Sequence, residues 1–150
     1  RQYFLLVRLI RSTIMDPRLA GIFNLENIDI LDYRIAANTL EIAGDTVVEL
    51  SESLIKSNLT KTEQKKIHNF AKDMEEIQIK SIDSFISNNR TLAINAITLQ
   101  RNNFEKISKI RSSLESKKQI SLAFFDLIYM FEKILQSWSD ITDLVKPSYK

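Results

Sequence analysis

Apolar residues return every three or four positions along most of the chain, the spacing that lines one face of a helix. In the opening stretch Tyr3, Leu6, Val7, Ile10 and Ile14 follow it. No capping residue precedes them, so the sequence reads as a helix in mid-course and the chain as a fragment of a longer protein. Asp16-Pro17 ends that helix, because the proline ring disfavours helical geometry at the residue before it. Residues 18–25, with Gly21 and Asn24, read as a connection. A second helix is expected from Glu26 to Lys56, broken by Ser57-Asn58. Thr60 and Glu63 form a capping-box pattern that opens a third helix, whose stripe is Ile67, Phe70, Met74, Ile77, Ser81 and Phe85. Asn88-Asn89 separates it from a fourth, carrying Leu92, Ala96, Leu99, Ile107, Ile110 and Leu114. Ser116 and Gln119 make another capping box. A fifth helix holds Ile120, Phe124, Leu127, Phe131, Ile134, Trp138, Ile141 and Val145, and Pro147 stops it.

Helices of 25–30 residues are each about 40 Å long. Loops of two to four residues force neighbours to run antiparallel. The expected fold is all-α, an antiparallel helical bundle of long helices. Composition agrees: 150 residues suffice for one ordinary domain, and two glycines and two prolines cannot supply the turns of a β-sandwich. Without cysteine there is no disulfide framework, thiolate metal site or cysteine nucleophile. A single histidine, His68, removes multi-histidine metal sites and argues against a Ser-His-Asp triad. No apolar run approaches the roughly 20 residues of a transmembrane helix and no signal peptide is visible, so a cytoplasmic location is expected. Twenty-one basic and 19 acidic residues are well mixed, which does not suggest direct nucleic-acid binding by this region.

The chain also repeats itself. Shifted by 100 positions, Arg1, Phe4, Ile10, Arg11 and Ser12 meet Arg101, Phe104, Ile110, Arg111 and Ser112. At an offset of 91, Leu31, Glu41, Leu50 and Leu54 meet Leu122, Glu132, Ile141 and Val145, with Glu49 opposite Asp140. The first helix then corresponds to the fourth and the second to the fifth.

The second helix carries a polar stripe of Arg34, Asn38, Glu41, Asp45, Glu49 and Glu52, all on one face. Glu41 and Asp45, one turn apart, are oxygen donors suited to a hard cation. The plainer reading is a solvated face in which Arg34 offsets part of the acidic charge. Gly44 costs about 1 kcal/mol inside a helix relative to alanine, which points to close approach of another backbone there.

The stretch from Arg34 to Glu52, RIAANTLEIAGDTVVELSE, resembles the signature helix of PhoU-family phosphate-uptake regulators. The likeness falls on Arg34, Leu40, Glu41, Gly44, Asp45 and Glu49. Upstream, Phe4, Arg8 and Asp16-Pro17 are similar to the segment that leads into that helix. It covers most of residues 1–54, and 62–145 only through helix lengths and the repeat. The resemblance implies PhoU-like three-helix repeats, with 1–57 the end of a first and 58–150 a second. It implies a cytoplasmic, non-enzymatic regulator that represses phosphate import, with the phosphate ABC transporter's ATPase or another signalling protein as partner, and a homodimer. It further implies metal clusters on two Glu-x-x-x-Asp motifs, with a divalent or ferric ion as cofactor. The first motif is Glu41 and Asp45 with Glu49. The second falls on Glu132, Gln136 and Asp140, where the neutral amide of Gln136 weakens the site. Archaeal members often carry a DNA-binding domain of the SpoVT/AbrB type ahead of this region. The alternative function is therefore a helical dimerisation and sensing domain of an archaeal transcription regulator whose DNA-binding domain is missing from this chain. A carboxylate-bridged metal enzyme on a ferritin-like bundle needs a Glu-x-x-His pair from each of two helices, which one histidine does not allow.

Other residues are expected to be structural. His68, Lys61, Lys65 and Lys66 read as surface, and Trp138, Phe131 and Tyr129 as core. Phe124 and Phe125 cannot share one helix face, so one of them is expected at an exposed interface.

Overall fold

The computed structural model describes residues 2–115 and 121–145. Among these it contains six helices and no strand: α1 (Gln2–Met15), α2 (Pro17–Ile22), α3 (Asn27–Lys56), α4 (Lys61–Ile86), α5 (Arg90–Glu115) and α6 (Leu122–Asp143). The all-α helical bundle expected from the periodicity is the observed fold. Among the described residues no helix is long and apolar enough to cross a membrane. The Ser116/Gln119 capping box, Ile120 and Pro147 lie outside the described residues.

One connection differs from expectation. Residues 17–22 form α2 rather than a loop, because Asp16 caps them: its Oδ1 accepts from the Arg18 backbone N–H at 3.1 Å, and Pro17 occupies the first turn. Proline at that position gives up no helical hydrogen bond, so Pro17 both ends α1 and begins α2. The Thr60–Glu63 box forms as read, with the Thr60 N–H donating to Glu63 Oε2 at 2.9 Å and the Glu63 N–H to Thr60 Oγ1 at 3.3 Å. At the next corner two asparagines divide the work. Asn88 takes the left-handed conformation (φ 48°) that closes α4, and Asn89 Oδ1 accepts the Leu92 N–H at 3.2 Å to start α5.

Helices α4, α5 and α6 pack pairwise as a three-helix bundle, α3 lies against α6, and α1 lies against α3. The stripe read from α4 is inside, with Ile67, Phe70, Met74, Ile77 and Ser81 buried and Phe85 against the core edge. From α6 come Phe124, Leu127, Phe131, Ile134, Trp138 and Ile141, while Val145 follows the helix end and is half-buried. Phe70 and Phe131 stack at 5.6 Å between centroids. Two aromatic readings are corrected. Tyr129 is 53% exposed rather than core. Neither Phe124 nor Phe125 sits at an open interface: Phe124 is buried, and Phe125 packs on the core edge under the Arg111 guanidinium.

Within the bundle a polar knot joins three helices. Gln100 Nε2 on α5 donates to Thr142 Oγ1 of α6 at 2.9 Å and to Ser81 Oγ of α4 at 3.2 Å. The two hydroxyls are 3.0 Å apart, and all three residues are buried.

Helix α3 is built the other way round from α6. Apart from Ile30 near its start it buries small side chains, Ala36, Ala37, Thr39, Ala43 and Thr46, and leaves Leu40, Ile42, Val47, Val48 and Ile55 exposed. Ala43 belongs to the core shared with α6. Arg34, nine residues earlier and so on the opposite side of the helix, meets α1.

Candidate functional site

The polar stripe of α3 divides into a clamped start and an open remainder. Arg34 makes no ion pair with the acidic residues among the described residues. Its Nη1 donates to the Tyr3 hydroxyl at 3.3 Å and its guanidinium lies 5.8 Å from the Tyr3 ring centre. Tyr3 in turn reaches Asn38 Oδ1 at 3.5 Å. These contacts fix the start of α1 about a third of the way along α3, and their source was not visible in the spacing, because Tyr3 read only as one of the first helix's apolar positions.

Beyond Asn38 the stripe faces water. Glu41, Asp45 and Glu49 are exposed and make no ion pair among the described residues. Glu52 is held at 3.8 Å by Lys56 one turn on, an exposed pair of small energetic weight. Glu49 also borders an open groove of about 450 Å³ with Ser53 and Lys56 of α3 and Asp126 and Tyr129 of α6. The expected close approach at Gly44 is absent: a Cβ built there meets nothing within 4 Å. The glycine lies on the exposed side of α3, and the next residue back, Ala43, is the one that enters the core with α6.

The second motif is engaged within the chain. Glu132 Oε2 accepts from Arg111 Nη1 at 2.7 Å, tying α6 to α5. Gln136 Nε2 donates to Asp140 Oδ1 at 2.7 Å. Both carboxylates of the second motif thus have a partner within the chain. Among the described residues no group of three carboxylate or histidine side chains converges to enclose a metal. Glu41, Asp45 and Glu49 follow one another by one turn on the exposed side of α3.

Elsewhere His68, Lys61, Lys65 and Lys66 are exposed, as read. The sequence did not reveal an apolar cavity of about 300 Å³ between α1 and the α2–α3 corner, lined by Leu6, Leu9, Ile10, Phe23, Leu25 and Tyr33. Alternate apolar positions on α1 were its only signal, and they do not distinguish a cavity from a packed seam.

The class these features define is an all-α helical bundle with an exposed acidic row on one long helix. No family model, no curated protein and no solved structure matches the chain.

Proposed function

We propose that the chain is a PhoU-like regulator of phosphate uptake, acting by binding protein partners rather than by catalysis. The observation that carries this reading is the row Glu41, Asp45 and Glu49. Three carboxylates stand exposed on α3, unpaired among the described residues, beside exposed Leu40 and Val48. Charge next to apolar surface is the make-up of a protein-binding patch. The residues Arg34, Leu40, Glu41, Gly44, Asp45 and Glu49 that resemble the PhoU signature lie on this helix, and the partner they suggest is the phosphate transporter's ATPase. A divalent or ferric ion on Glu41 and Asp45 belongs to the same proposal, with water or the partner supplying its other ligands.

A second reading, a dimerisation and sensing module of a transcription regulator, is favoured by the large apolar side chains exposed on α1 and α3, among them Phe4, Met15 and Ile55.

Calorimetry of the chain with the ATPase subunit of its own organism's phosphate transporter tests the first reading. Binding is expected, and Glu41→Ala with Asp45→Ala should weaken it by about tenfold or more. No binding by a well-folded sample moves the weight to the second reading.

A further inference from the structure

We infer that two copies of this chain pair by laying α1 of each across the C-terminal half of α3 of the other. The inference rests on the second reading, the dimerisation module, and in such a dimer the acidic row is covered by the second copy in place of the transporter's ATPase.

Length is the first argument. Helix α3 is 30 residues, about 45 Å, and α1 is 14 residues, about 21 Å. Because Tyr3 is tied to Arg34 and Asn38, and Thr13 shares a cavity wall with Ile30, α1 runs antiparallel over the first half of α3 only. The side of α3 that α1 covers continues beyond Asn38 as Glu41, Asp45, Val48, Glu52 and Ile55, at steps of three and four, all exposed. That open strip is about as long as one further α1.

Charge is the second. Tyr3, Val7 and Ile10 face α3, which leaves Phe4, Leu5, Arg8, Arg11 and Met15 on the outer side of α1, all exposed. No acidic residue occurs in α1. The strip is apolar and acidic where the outer side of α1 is apolar and basic. One chain thus carries both halves of a self-complementary contact, the requirement for a closed two-fold dimer. In it each α1 would lie between its own α3 and that of its mate.

The repeat supplies the third. Arg11 and Glu41 stand at the positions of Arg111 and Glu132, which pair at 2.7 Å within the chain. Arg11 and Glu41 make no ion pair among the described residues, because α1 is seated on the earlier part of α3. A second copy brings to the strip the arginines that its own α1 does not.

Charge reversal tests this by sedimentation over a range of concentrations. The unaltered chain is expected to form a dimer. Arg8→Glu with Arg11→Glu, and separately Glu41→Lys with Asp45→Lys, should each raise the dissociation constant at least about tenfold, since like charges then meet. Circular dichroism should show unchanged helicity in both. An equimolar mixture of the two variants should dimerise again, because each of the two contacts then joins opposite charges. An unaltered chain that stays monomeric overturns the inference and leaves the strip to a different occupant. Variants that dimerise as well as the parent, or a mixture that does not recover, overturn it too. No transporter component enters this assay, so its failure is separate from failure of the ATPase-binding reading.

Discussion

Gly44 shows how a single residue can be read correctly for cost and wrongly for cause. A glycine inside a helix gives up stability through backbone entropy, and a close neighbour is one reason to accept that. Here nothing lies within 4 Å of the Cβ position. Gly44→Ala should therefore stabilise the fold by about 0.5–1 kcal/mol in urea unfolding; a loss would show that something does approach this face. Arg34 is the converse case. Its charge was legible, but its partner Tyr3 lies 31 residues away, and only the seating of α1 decides that they meet. Tyr129 fails for a related reason. An aromatic ring between Ile128 and Met130 looks internal, yet the turn of the helix buries those two and sends Tyr129 outward.

At the scale of elements, the long helices were legible because three-to-four periodicity accumulates over 20 or more residues. Helix α2 was not, since six residues make less than two turns and proline reads first as a stop. Its start depends on Asp16. The Arg18 side chain first, and the Arg18 backbone N–H second, hold the Asp16 carboxyl below its ordinary range. A carboxyl lowered on folding stabilises the fold above its unfolded pKa, and that contribution is lost as pH falls through the folded value. The Asp16 carboxyl followed by NMR should titrate below a reference aspartate, with the amides of α2 shifting over the same interval. A midpoint at the reference value would mean that the cap is not formed in solution. The acidic row of α3 was equally legible as a row. That α1 stops short of it was not, because the spacing of a helix says which residues share a side but not how far a neighbour extends along it.

Across the whole molecule the periodicity gave the bundle, and the division of labour within it came from the structure. The largest fully buried side chains, including Phe124, Phe131, Ile77 and Ile107, all come from α4, α5 and α6, while α3 contributes Ala43. Apolar burial stabilises by roughly 25 cal/mol per Å², so the second half of the chain holds most of that term. Hydrogen exchange measured on dilute protein should accordingly show amides of α4–α6 outlasting those of α1 and α2. Equal protection throughout would indicate one cooperative unit. The knot of Ser81, Gln100 and Thr142 has its main consequence in arrangements the chain does not adopt. Apolar stripes tolerate sliding, since one leucine-sized knob resembles another a turn away. Move α5 by one turn and the Gln100 amide loses both of its partners among hydrocarbon, at about 1–3 kcal/mol, while Ser81 and Thr142 keep only each other and the Trp138 carbonyl. In the native alignment the same atoms are satisfied, so the penalty falls on the errors, and three polar residues act as an index mark for the assembly of an otherwise greasy stack.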